Sequence, residues 1–291
     1  MNKQTKVWLV LSIALSLLVI GSCGGNKTEG PAPNTNGATA GGAGPWTGPT
    51  GTISGVVAFN GTPPAPKKID TAADPVCGQK NPNLMTDDTV VKDGKLANVF
   101  VYIKEGTVEG GKKIGDYTWE TPATAVKLDQ NGCHYVPHVL GVMVNQKIQI
   151  TNSDATQHNI HWTPKLNQEW NQSQPNGAPP IEKAFTRSEI LVPVKCNQHP
   201  WMRSYIGVMK NPLFAVSSDT GAYEIKGVPP GKYTVIAWRE GTTPEEKPVE
   251  VTVTANGAAK ADFSFGAAAI SSTKPSLQMM PAIEFPMLGK H

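Results

Sequence analysis

The sequence lacks the features that announce most catalytic classes. Its 291 residues hold only four cysteines and six histidines. No carboxylate pair, nucleophile–base combination or phosphate-cradling glycine loop stands out among them, so the chain does not read as an enzyme. Sustained helical periodicity is also missing, which excludes a helical bundle. Charge of one sign is scarce: 26 Lys and Arg face 23 Asp and Glu, a net charge of +3. No basic stripe with interleaved aromatics exists, which excludes nucleic acid as a partner. The one long apolar run, "VWLVLSIALSLLVI" at Val7–Ile20, is too short to span a bilayer comfortably.

That run has the layout of a targeting segment, with Lys3 and Lys6 ahead of it. It ends in "IGSC", Ile20–Cys23, which resembles the lipobox of bacterial lipoproteins. The resemblance implies a signal peptide over 1–22, acylation of Cys23 and a membrane-anchored, exported protein. With Gly24 after the cysteine it favours the outer membrane, facing the periplasm or the cell surface. An ordinary signal peptide is the alternative. Residues 23–50 are rich in Gly, Pro, Thr, Asn and Ala and cannot bury enough surface to offset ordering entropy. They read as a flexible tether reaching on the order of 30 Å. The stretch 266–291 reads as a loose tail, with Met279, Met280, Met287 and His291 as further copper donors in a second reading.

Exported chains meet an oxidising compartment in which free thiols pair. With Cys23 assigned to lipid, Cys77 and Cys133 are disulfide candidates and Cys196 is left over. An unpaired exported cysteine needs a reason; metal ligation supplies one, and pairing of Cys196 with either of the other two is the alternative.

Between the ends lie short alternating or apolar runs, among them "TISGVVAF", "KIQITN", "ILVPVK", "YIGVMK" and "KYTVIAW". Gly, Pro, Asn and Asp separate them, and Val, Ile, Phe and Tyr fill them, as half-buried pleated surfaces prefer. The fold class expected is all-β, built as sandwiches. Short helices are expected, if anywhere, near Asn167–Gln174 and Ile181–Phe185.

"CNQHPWM", Cys196–Met202, sets a thiol, an imidazole and a thioether at Cys-x2-His-x2-Met spacing between two strand-like runs. Well upstream, "HNIHW" at His158–Trp162 follows another such run. Two imidazoles, a thiolate and a weak thioether form the donor set of a blue-copper site; zinc competes for Cys and His but seldom recruits Met.

Together these stretches resemble the cupredoxins, the amicyanin branch above all, over roughly 136–210. The resemblance implies a Greek-key cupredoxin-like β-sandwich and one type 1 copper ion held by His158, Cys196, His199 and axial Met202. It implies that Asn159 hydrogen-bonds to the Cys196 segment and that Pro200 stiffens the loop. It also implies docking of a redox partner, a cytochrome or an oxidoreductase, over an apolar patch around an exposed His199. Trp201 shields the metal edge or simply packs. His161, three residues past His158, points to the opposite face of an extended strand and reads as supporting rather than ligating. His134 and His138, beside Cys133, are either polar neighbours of a disulfide or a second metal site.

"SSDTGAYEIKGVPPGKYTVIAW" resembles the carboxypeptidase regulatory-like domain, a small non-catalytic β-sandwich; "GTISGVVAFNGTPPAP" resembles its first strand. The organisation expected is therefore a β segment at 51–135, a cupredoxin-like segment at 136–212 and a regulatory-like module at 213–265, with insertion or fusion left open. Three roles follow: single-electron carriage between redox partners, copper storage or delivery, and a surface module binding carbohydrate or protein around a structural metal.

Overall fold

The computed structural model describes residues 43–241 and 244–266. The stretches read as a signal peptide, as most of the tether and as a tail with Met and His, together with Cys23, lie outside the described residues. No described helix is long and apolar enough to cross a membrane.

The fold is all-β and has two sandwiches, each with its own apolar core. The first is framed by the strand Gly51–Asn60, which alternates strictly between buried and less buried residues. This period of two places Ile53, Val57 and Phe59 inward. Gly51–Asn60 pairs along one edge with Ala222–Val228 and then Lys95–Leu96, and along the other with Ala258–Lys260 and Phe263–Gly266. A second sheet, in the order 214–216, 100–108, 231–239, 245–253, faces it. Val101, Ile103, Tyr233 and Val235 close the core from that side.

The second sandwich is wound from Val126 to Met209. One sheet runs 181–183, 148–152, 126–130, 135–136, and the other 170–174, 158–162, 189–195, 203–209, 139–143. The chain crosses between the sheets several times, and both sheets mix parallel with antiparallel pairs. Leu128, Ile148 and Ile150 from one sheet meet Ile160, Val192, Val194, Ile206 and Val208 from the other. Each such side chain contributes on the order of 1.5–3 kcal/mol by leaving water. Stretches before and after this sandwich both supply strands to the first one.

The two sandwiches touch through a third cluster. Phe100, Tyr102, Ile236 and Trp238 lie against Val139, Leu191 and Met209. The strands involved are buried on both faces, which is why "FVYI" and "VIAW" read as unbroken apolar runs rather than alternating ones. The contact is close: a Cβ on Gly207 would lie 2.3 Å from the Phe100 ring.

Several local readings change. Trp170–Gln174 and Ile181–Lys183 are strands, not helices. Both are short, polar edge strands whose partners, not their own composition, set the backbone. A helix forms instead at Pro75–Lys80, with Asp74 as N-cap and proline in its first turn. The tether reading stops short of residue 50: Gly44–Pro45 pairs with Tyr117–Thr118, and Trp46 packs on the first core because its ring buries apolar surface that the surrounding glycines and prolines cannot.

Candidate metal centre

Three donors meet at one end of the second sandwich. His158 begins the strand His158–Trp162, which places it at 0% exposure inside the sheet pair. Cys196 follows directly on the strand Glu189–Lys195, and His199 lies in the loop before the strand Arg203–Met209. That loop is closed tightly by its own backbone. Met202 N–H donates to the His199 carbonyl (2.9 Å), and Cys196 N–H donates to the Met202 carbonyl (3.2 Å).

The donor atoms of His158, Cys196 and His199 lie within 4.8 Å of one another. The two Nδ1 atoms are 2.9 Å apart, and His199 Nδ1 is 3.6 Å from the Cys196 sulfur. Met202 is fully buried in the same core. Asn159 bridges the two ligand-bearing segments. Its Oδ1 accepts from Asn197 N–H at 2.6 Å and lies 3.3 Å from the Cys196 sulfur, while its Nδ2 donates to Asn171 Oδ1 at 2.7 Å. Pro200 is exposed at the loop tip. Trp201 is half-buried; its indole N–H donates to the Cys133 carbonyl, and its ring stands 5.1 Å from the His199 ring. The loop is thereby attached to the neighbouring disulfide, which joins Cys77 to Cys133.

Two carboxylates that spacing does not reveal complete the site. His158 Nε2 donates to Asp154 Oδ2 and His199 Nε2 to Asp74 Oδ2, each at 2.9 Å. Burial alone would raise the Asp154 pKa. The His158 ring, the Lys80 ammonium and the backbone N–H groups of Cys133 and Gly132 outweigh it and hold that carboxyl well below the usual range. For Asp74, burial is likewise overcome by Thr156, His199 and the first N–H groups of the short helix, and its pKa is lowered. Asp154 stands four residues before His158, but Asp74 is 125 positions from His199, and an isolated aspartate in "AADPVCG" carries no signal by itself.

This pinning decides what the site can hold. A carboxylate only accepts, so each Nε2 carries the ring proton and each Nδ1 turns a lone pair inward. Two lone pairs 2.9 Å apart, with sulfur alongside, repel unless a proton or a metal ion lies between them. The thiol is prepared for this. Burial opposes its ionisation, but hydrogen bonding to His158, His199 and the Asn159 segment brings its pKa down from 9.0 to about 6. For His158 burial acts downward, yet Asp154 and Cys196 outweigh it and raise its pKa. Two imidazole nitrogens and a thiolate, in a dry setting with a thioether residue in the same core, fit a copper ion. They fit zinc less well, since its structural sites close with four N/S donors. Two other groupings, Asp74–Cys77–His199 and Cys133–Asp154–His158, also lie within reach; each includes a cysteine already spent in the disulfide.

The other described histidines are held differently. His161 turns away from the centre and is held between Glu169 Oε1 (2.6 Å) and Asn197 Oδ1 (2.9 Å). His134 and His138 converge on Asp87 Oδ2 at 3.3 and 3.2 Å, and His138 reaches Glu240 at 2.6 Å. Neither belongs to a three-donor grouping among the described residues. His199 is not exposed, contrary to the docking expectation. His199 is 4% exposed, because the segment that carries Asp74 and the helix Pro75–Lys80 lies over it. That cover is held by the disulfide, by Thr156 O–H donating to Asp74 (2.7 Å) and by the Lys80–Asp154 ion pair (2.8 Å).

No protein-family model and no curated protein matches the chain. Among solved structures, part of it is similar to a purple cupredoxin from Nitrosopumilus maritimus: 20% identity over 29% of this chain and 99% of that one, TM-score 0.25. An oxidised single-substitution form of amicyanin aligns at 24% identity over 31% of this chain and 87% of that one, TM-score 0.27. A copper-containing nitrite reductase from Thermus scotoductus aligns at 18% identity over 30% of this chain, TM-score 0.26, and the chain spans 22% of its length.

Proposed function

We propose that this chain would hold one copper ion between His158, Cys196 and His199, with the Met202 thioether as a further weak donor, and that it carries single electrons between redox proteins. The observation that supports this most is the pair of imidazole Nδ1 atoms turned toward one another and toward the Cys196 sulfur, each ring fixed from behind by its own carboxylate. When bound there, copper supplies a one-electron couple, because thiolate suits Cu(I) while imidazole suits both oxidation states. The protein's part is to keep the donors where they are. Asn159 ties the strand that starts at His158 to the Cys196 segment, and the two aspartates fix the ring tautomers and orientations. A cage that does not rearrange accepts either oxidation state with little reorganisation. In this reading the chain is an exported lipoprotein anchored through Cys23, and no substrate is transformed.

The test is the visible spectrum of the chain from residue 24 onward after addition of Cu(II), with Cys196→Ser as control. An intense thiolate-to-copper band, lost in the variant, and a reversible couple are expected. A colourless protein that takes up one zinc would overturn the assignment and leave a structural metal in a surface-binding module.

A further inference from the structure

The cover over His199 closes the side on which an exposed imidazole would meet a partner, so any exchange must use another edge of the centre. The structure has one. A cavity of about 500 Å³ opens beside the ligand loop, with Cys196 in its wall and Lys195, Asn197, Pro200, Arg203 and Tyr205 around it. No carboxylate lines it. Lys195 and Arg203 stand directly opposite each other on neighbouring antiparallel strands, and both are exposed. Like charges in that cross-strand position destabilise a sheet; neither side chain makes an ion pair among the described residues, although Asp87, Asp88 and Glu240 line the next cavity along, which Arg203 also borders. Among the described residues, the Lys and Arg ion pairs are made by Lys80, Lys127, Lys147, Lys226, Arg239 and Lys247. Two cations with no ion pair among the described residues, kept adjacent at the lip of a cavity that reaches the thiol residue, are complementary to an anionic surface.

We propose that an electron-exchange protein docks here by a carboxylate-bearing face, seating acidic side chains on Lys195 and Arg203, and that electrons enter and leave by way of Cys196 rather than His199. The electron route rests on the copper reading above; the docking surface does not. Complementary charge at such a rim acts mainly on encounter, raising association rates at low salt and losing effect as salt screens it.

Two measurements separate these parts. The metal-free protein is titrated with hexacyanochromate(III), a paramagnetic trianion, and amide NMR signals are followed. Broadening centred on residues 195–205 is expected; broadening centred on the Asp74–Lys80 cover or on the opposite end of the sandwich overturns the docking surface. The copper-loaded protein is then reduced, and its oxidation by hexacyanoferrate(III) is timed at low ionic strength, with and without poly-L-glutamate. The double variant Lys195→Glu/Arg203→Glu should react about tenfold more slowly and lose inhibition by the polyanion, with an unchanged visible spectrum. Lys104→Glu/Lys210→Glu makes the same change in net charge at exposed positions beside a different cavity and should stay within about twofold of the parent. Equal slowing in both variants, or none in either, overturns the proposal. If no copper chromophore forms, the carrier reading fails while the NMR map still decides the surface.

Discussion

His138 offers the sharpest test of how the two sandwiches are coupled. It lies just ahead of the strand Val139–Met143, between two carboxylates from other parts of the chain. Asp87 comes from the covering segment, and Glu240 from the end of the strand Gly231–Arg239 in the first sandwich. The ring is buried, and Glu240 also accepts from Tyr205 O–H at 2.7 Å. Burial disfavours the imidazolium, but the two carboxylates overcome it and push the His138 pKa up from 6.5 to about 10. A pKa raised by folding contributes stability that is fully present below the unfolded value, near 6.5, and is lost as pH rises through the folded value. The gap between those values converts to roughly 5 kcal/mol at 1.36 kcal/mol per pH unit. Removing one partner of a buried pair costs about 3–5 kcal/mol, so the two routes agree. His138→Gln keeps a polar side chain without the charge. It should lower stability by about 3–5 kcal/mol at pH 6, or about 10 °C in melting temperature for a chain of this size. The gap between parent and variant should close to about 1 kcal/mol near pH 10, where the parent ring is half neutral. Denaturant titrations of both proteins at a series of pH values, with the disulfide intact, read this directly. A gap that is the same at pH 6 and pH 10 would refute the charged-histidine bridge.

Three further outcomes are expected. Replacing both disulfide cysteines, Cys77→Ser/Cys133→Ser, opens a loop of 56-residue separation; it should cost about 4 kcal/mol in denaturation and, in the copper-loaded protein, speed metal removal by a chelator, because the cover over His199 loses its tie. Gly207→Ala sets a methyl 2.3 Å from the Phe100 ring and should destabilise by about 1–3 kcal/mol in thermal melts, with the visible spectrum unchanged. Asn159→Ala leaves Asn197 N–H without its acceptor; a loss of about 1–3 kcal/mol and a shifted copper absorption would confirm that this side chain holds the loop, while an unaltered spectrum would not.

What the sequence made legible follows from how local each signal is. Period-two alternation in "TISGVVAFN" exposes a one-sided strand without reference to anything else, and that strand is where it was expected. Cys196, His199 and Met202 are close in sequence because one tight loop presents them, so their spacing is readable as a candidate donor set. His158 and Asn159 are readable as a pair at the start of a strand. The two aspartates behind the imidazoles are not. Asp74 reaches His199 only because a segment from the first sandwich's side of the chain folds over the second, and nothing local requires it. The polar runs at Trp170–Gln174 and Ile181–Lys183 misled for the same reason: an edge strand takes its conformation from its neighbour. The exposed-histidine expectation failed because it assumed an uncovered ligand end, and the covering stretch around residues 67–90 has the composition of an ordinary loop.

That cover also bears on carriage against delivery. A protein that hands over its metal must let a second set of ligands approach while the first still holds, so at least one donor must be reachable. Here His158 is fully buried, Cys196 and His199 are nearly so, and Met202 is at 0% exposure. His199 is closed off by a carboxylate whose segment is covalently tied beside it. Displacing that carboxylate would mean breaking its bonds to His199 and Thr156 and moving a helix held by the disulfide. An electron needs none of this. It requires only that a partner come close to a ligand residue, and the cavity beside Cys196 allows that without disturbing the donors. On the copper reading proposed above, enclosure of the candidate donors with access kept at one edge favours a resident, cycling ion over one that is passed on.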